Sequence, residues 1–167
     1  MMENSEIEFK GNYDSDNALS VGWVYEYADK MYKDINFKGM NAYKVDYTYL
    51  PNQKILLHGG IRSFNQIIRF TDIPKKADSI GIWSYVEYQA SDNTQFSLGV
   101  NFEDAKNYFD GYLLNFRVKH AFSPKLSLRS KLQYSDFSKT WFIEPMLTYQ
   151  PSAFSAFYFG INELLDV

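Results

Sequence analysis

A chain of 167 residues with 17 Lys+Arg against 20 Asp+Glu has a formal charge of −3 and a pI near 5.4. That balance leaves no electrostatic footprint for nucleic acid. Without cysteine it has neither disulfides nor thiolate metal sites, and no stretch approaches the ~20 apolar residues of a membrane-spanning helix.

The N-terminus, Met1-Met2-Glu3-Asn4, runs into acidic residues without a basic region or an apolar stretch, so no signal peptide is read there. A first strand spans about 5–13, with a thin apolar face in Glu6-Ile7-Glu8-Phe9-Lys10. Strands follow over 19–28 and 41–50, where Trp23, Tyr25, Tyr27, Tyr43, Val45, Tyr47 and Tyr49 share one parity. Glu26, Lys44, Asp46 and Thr48 take the other. Further strands are expected over 54–62, 80–90, 94–103, 111–121, 125–134, 140–149 and 153–162.

The clearest alternation lies in the middle of the chain. Phe96, Leu98, Val100 and Phe102 alternate with polar neighbours, as do the series beginning at Tyr112 and at Leu126. Strand side chains point to opposite faces at a period of two, so one face is aromatic and aliphatic. The other holds His58, Arg62, Glu87, Gln95, Asn101, Asn115, Arg117, Lys119, Arg129, Lys131 and Glu144. These mixed signs suit cross-strand ion pairs in a water-filled lumen. Pro145 falls mid-strand, where it cannot donate a ladder bond, so a bulge or local edge is expected there.

Short turns are read at Asp14-Ser15-Asp16-Asn17, Pro51-Asn52-Gln53, Ser91-Asp92-Asn93, Phe122-Ser123-Pro124 and Gln150-Pro151-Ser152. Longer polar connections are expected near 29–40, 63–79, 103–110 and 135–139, with Gln66-Ile67-Ile68-Arg69-Phe70 extending one strand before Pro74-Lys75-Lys76 turns it. Strands of about 9–11 residues, joined alternately by short and long connections, match a transmembrane barrel. An aromatic content of 19%, from 14 Tyr, 14 Phe and 3 Trp, suits its interfacial girdles. An aromatic-rich soluble β-sandwich is the competing architecture.

The fold class is therefore all-β, an antiparallel up-and-down meander of about ten strands within an open or incompletely closed transmembrane barrel. Residues 1–167 form one barrel segment, expected to be a fragment of a larger barrel. Its end at Leu164-Leu165-Asp166-Val167 reads as an outer loop.

The run from Ser123-Pro124-Lys125-Leu126-Ser127-Leu128-Arg129 through Leu132-Gln133-Tyr134-Ser135 to Ser138-Lys139-Thr140 resembles a hairpin phrase, approximately "tPrLSLRxxLQYnsdSkT". Tyr149-Gln150-Pro151-Ser152 is similar to the "YxPxS" that ends the next strand. Both belong to large Bacteroidota outer-membrane proteins with a C-terminal β-barrel of unknown function. Those proteins carry an N-terminal domain similar to carbohydrate-binding module family nine. Lys33 to Met40 resembles the same family's "kDFnpexGF" loop, without the Pro and one residue. The resemblance covers about residues 19–162. It implies an outer-membrane location and an N-terminal carbohydrate-binding-like domain missing from this chain, and it supplies no catalytic residue.

His120 continues the apolar series beside a short turn, as a girdle residue would, whereas His58 points to the lumen within reach of Asp46 or Glu87. No nucleophile–base set accompanies either, so no enzyme activity is read. Gly59-Gly60 is a strand bend or bulge rather than a phosphate loop. Glu103, Asp104, Asp110 and Asp136 lack calcium-loop spacing, and no metal or cofactor is expected. Tyr108, Phe109 and Phe137, in outer loops, are candidate glycan contacts. The expected role is structural, anchoring or transport-related, with outer-membrane lipid as partner and glycan bound through loops or the missing domain. A glycan-binding β-sheet module and a barrel hydrolase are the alternatives.

Overall fold

The computed structural model describes residues 6–14 and 19–166. They form one antiparallel sheet: β1 (Glu6–Asp14), β2 (Leu19–Tyr32), β3 (Ile35–Asn52), β4 (Ile55–Ile68), β5 (Lys75–Ser91), β6 (Thr94–Ala105), β7 (Phe109–Ser123), β8 (Leu126–Ser135), β9 (Thr140–Ser152), β10 (Ser155–Gly160) and β11 (Glu163–Asp166). Each strand from β1 to β10 pairs with the next in sequence, and β11 pairs with β9. The all-β antiparallel meander is as expected. The sheet does not close on itself: β1 forms one edge, and β10 with β11 forms the other.

One turn expectation, residues 15–17, lies outside the described residues. The other short turns fall within one to three residues of their expected places, at 53–54, 92–93, 124–125 and 153–154. Each is flanked by a register shift, between Tyr49/Asn52, Gln89/Ser91, Ala121/Ser123 and Ser155/Phe157.

The expected long connections are mostly strand. In place of a loop over 29–40, β2 and β3 run on to a two-residue turn at Lys33 and Asp34. Both have positive φ, 48° and 62°, the turn whose twist matches that of the flanking strands. A bulge between Ala28 and Lys30 sets Asp29 against Lys38 and Gly39. Gly39 takes φ 62° and its N–H donates to Asp29 Oδ1 at 2.8 Å. The polar residues of this hairpin resemble loop residues because the ladder, rather than burial, holds it.

Likewise β4 continues to Ile68 and β5 begins at Lys75, so the expected extension is real through Ile68. Lys75 and Lys76 belong to the returning strand instead of turning it. Between β6 and β7 the connection shrinks to residues 106–108, with Asn107 at φ 69°. Among the described residues, only 69–74 and 136–139 are loops of four residues or more.

The Gly59-Gly60 pair makes no bulge. It pairs in unbroken register with Tyr47 and Asp46, and its missing side chains leave room for Tyr47 and Trp83. The terminal residues Glu163–Asp166 are strand rather than outer loop.

Pro145 has a specific effect. Its carbonyl accepts from Ile161 N–H at 3.3 Å, so its missing donor also faces the last strand, and Ser130 opposite it in β8 is a non-hydrogen-bonded partner. The pairs Gly160↔Met146 and Glu163↔Ile143 share one register. β10 and β11 are thus a single strand interrupted where Pro145 cannot donate, instead of a bulge or an edge at β9.

The small core lies at the end of the sheet bearing the longer connections. Phe37, Met40, Ile68, Ala77 and Ala105 are its buried apolar residues among those described. The Ala28/Lys30 bulge resets the alternation so that Phe37 falls on the same face as Met40.

Two left-handed non-glycine residues at the β2–β3 turn each cost roughly 1 kcal/mol. Replacing them with the pair that tolerates this geometry, Lys33→Asn with Asp34→Gly, should therefore raise stability by about 1–2 kcal/mol. The midpoint of chemical unfolding in detergent micelles reads it, and an unchanged or lowered midpoint would contradict the turn geometry.

Candidate functional site

Register decides which side chains share a face. Lys44, Arg62, Gly81, Glu103 and Gly111 form one cross-strand row. Asp46, Gly60, Trp83 and Asn101 form the next, then Thr48, His58, Tyr85, Gly99, Asn115 and Gln133. Beyond them lie Glu87, Ser97, Arg117, Lys131 and Glu144, and finally Gln95, Lys119 and Arg129. Glu26 joins the same face at its outer end through Ala42 and Phe64. Every polar residue singled out from the strands thus belongs to one surface, and Trp23, Val45, Ile61, Ile82, Phe102 and Tyr112 form a row on the opposite one.

On the polar surface side chains reach across intervening strands. Arg62 Nη2 meets Glu103 Oε2 at 2.8 Å, passing over Gly81, where a Cβ would come within 2.7 Å of the Arg62 side chain. Gln66 donates to the other Glu103 oxygen at 3.1 Å and to Ser79 at 2.7 Å. Lys44 is paired with Asp46 at 2.9 Å and lies 5.4 Å from the Trp83 ring centroid. On the opposite face, Lys76 of β5 donates to the Gly39 carbonyl of β3 at 2.6 Å, beside Tyr27. Lys44, Arg62, Trp83, Asn101 and Glu103 of the polar face line one hollow.

His58 pairs with neither Asp46 nor Glu87. Trp83 Nε1–H donates to His58 Nε2 at 3.3 Å, and His58 Nδ1 lies 3.1 Å from Thr48 Oγ1. An accepting Nε2 puts the ring proton on Nδ1, which donates to Thr48. Both ring nitrogens are thus hydrogen-bonded, one to Trp83 and one to Thr48. Glu87 instead accepts from Tyr85 at 2.7 Å and from the Gln95 amide. His120 lies in the apolar row pattern, 2.8 Å from Thr94 Oγ1 and edge-on to Phe122.

At the end with longer connections, Tyr108, Phe109 and Phe137 converge around Phe70. Phe109 meets Phe137 at 5.7 Å and Phe70 at 6.3 Å between centroids, and Phe70 lies 6.5 Å from Tyr108. Phe137 folds over Gly111, where a Cβ would approach it to 2.9 Å. These rings border a hollow of about 1260 Å³ whose floor includes Arg62, Trp83 and Glu103. Phe70 was missed from the sequence because its segment reads as the end of a strand; its partners are distant in sequence and only the turn geometry gathers them.

The four carboxylates of the loops do not form one cluster. Glu103 is bound to Arg62, and Asp104 faces Asp110 across β6–β7 on the other face. Asp136 holds Lys139 at 2.6 Å, a hydrogen bond that keeps the Lys139 ammonium protonated to higher pH than usual. Among the described residues, no group of three His, Cys, Asp or Glu side chains is placed to hold a metal ion.

No protein-family model matches the chain, and no curated protein matches it. Among solved structures it is similar to a KdgM porin in complex with disordered oligogalacturonate, at 12% identity and a TM-score of 0.46, over 95% of this chain and 84% of that one. It is similar to a second KdgM porin structure at the same identity and TM-score, over 98% of this chain and 86% of the other.

Proposed function

We propose that this chain is part of the wall of a bacterial outer-membrane β-barrel, with its apolar face against lipid and its polar face lining an aqueous passage. One observation carries the reading: the large apolar residues of one entire face have nothing packed on them. Trp23 is 48% exposed, Tyr43 56%, Ile61 49%, Ile82 45% and Leu98 44%. A soluble sandwich would bury this face under a second layer, whereas hydrocarbon is the environment such a face suits. The polar face would meet an unmet desolvation cost there, so it turns inward.

The aromatic positions support the same reading. Tyr49, Tyr88, His120 and Tyr149 each lie four residues before the first residue of a short turn, all on the apolar face. Amphipathic rings at a fixed height suit an interfacial girdle. In hydrocarbon an unpaired backbone group costs several kcal/mol, so the edges at β1 and β10–β11 require strand partners to complete the wall. A larger barrel of the Bacteroidota type would supply them.

At the mouth, Phe70, Tyr108, Phe109 and Phe137 offer ring faces and edges to a sugar chain. The role assigned is passage or anchoring, with glycan held at the entrance. Catalysis has no such support, because both His58 nitrogens are committed to Trp83 and Thr48.

The purified chain should need detergent or lipid to stay dispersed; a monodisperse folded species in plain buffer, by size-exclusion chromatography with light scattering, would refute the membrane reading. The two faces should also respond oppositely to charge. Phe116→Lys, or Leu132→Lys at its cross-strand partner, should cost ~2–4 kcal/mol near mid-membrane and block insertion into liposomes, while Arg117→Gln leaves insertion intact. Equal damage from both kinds of substitution would show that the faces are reversed or that neither meets lipid.

A further inference from the structure

The polar face divides into two electrostatic halves. Toward the longer connections, cations are neutralised: Lys44 by Asp46 at 2.9 Å and Arg62 by Glu103 at 2.8 Å. Toward the short turns four cations share a single ion pair, Arg129 with Glu144 at 3.9 Å. Arg117 on β7 is the direct cross-strand partner of Lys131 on β8, and Lys119 is the direct partner of Arg129. Like charges placed directly opposite on a sheet destabilise it. Two such pairs in adjacent rows compound the cost.

The nearby carboxylates relieve it only in part. Glu87, in the row of Arg117, is occupied by Tyr85 and the Gln95 amide. Glu144 is the direct cross-strand partner of Lys131 and pairs with Arg129 at 3.9 Å, so one carboxylate is set against the four cations. Among the described residues no carboxylate lies within ion-pair distance of Arg117, Lys119 or Lys131. Lys131 instead lies 5.2 Å from the Phe142 ring centroid, while Arg117, Lys119 and Arg129 are exposed.

We infer that Arg117, Lys119, Arg129 and Lys131 form a binding site for a polyanion bearing carboxylate or sulfate groups. The inference rests on the polar face being solvent-accessible, and it deepens the passage reading by naming the charge class of the solute. Strand geometry sets the spacing. Neighbouring strands are ~4.8 Å apart and alternate residues ~6.8 Å apart along a strand, so the four cations present a rectangle of about 5 by 7 Å. A single small anion satisfies one edge of it. A chain of anionic groups at that repeat satisfies all four and removes the repulsion between the pairs.

The test measures binding of fluorescently labelled dextran sulfate, and of neutral dextran of the same length, to the detergent-solubilised chain by anisotropy. Dextran sulfate should bind at least about tenfold more tightly than neutral dextran. The R117Q/K119Q/R129Q/K131Q variant should weaken binding by about tenfold or more, while K10Q, which removes a cation paired with Glu8, stays within about twofold of the parent. The pair K119Q/K131Q removes one member of each opposed pair. It should weaken binding too and, without polyanion, raise the unfolding midpoint, which keeps the test decisive if the fourfold variant does not fold. Undiminished binding by the variants that fold, or an equal loss in K10Q, overturns the inference. A chain that is monodisperse without detergent and still binds through these four residues refutes the membrane reading while leaving the polyanion site standing.

Discussion

The backbone ladder is the interaction on which everything else in this molecule depends. Because the sheet is one layer thick, no core decides which side chain goes where. Cross-strand register decides it, and register carries each choice across the whole sheet. Trp23, Val45, Ile61, Ile82, Phe102 and Tyr112 lie in one row because six strands are in phase. A slip of one residue in any of them would turn its apolar residues to the polar face and its charges outward. The bulges fall where this phase no longer has to be kept, beside the short turns and in the extended β2–β3 hairpin.

Within the hollow, the absence of a side chain matters as much as its presence. Gly81 lets Arg62 cross a strand to reach Glu103, and Gly111 lets Phe137 fold down beside Phe109. Trp83 stands over Gly60, near Lys44, and donates to His58. Small residues beneath large ones allow a curved sheet to fill its inner side without a second layer. The result is a face with paired charges and aromatic rings at one end and an excess of cations at the other.

The strands and their faces were legible in the sequence. Alternation at a period of two is a local property, so Tyr112–Val118 and Leu126–Tyr134 declare both their state and their parity without reference to neighbours. The short turns were legible because Pro, Asn and Asp act locally on the backbone. The long connections were misread for the opposite reason: Asp29, Lys30, Asn36 and Lys38 are as polar as any loop, yet extended pairing holds them in strand. His58 was assigned carboxylate partners by charge, whereas Trp83 reaches it through a register that no local pattern reveals.

By itself the sequence determined the fold class, the antiparallel order and the separation of an aromatic face from a charged one, because period and turn chemistry are written within a few residues of each position. Only the tertiary structure decided which charges neutralise one another, which rings gather at the mouth, and that the sheet leaves β1 and β10–β11 as edges. Those outcomes depend on register and curvature. Arg62 and Glu103 are 41 residues apart, and what brings them together is the pairing of three strands and the glycine between them.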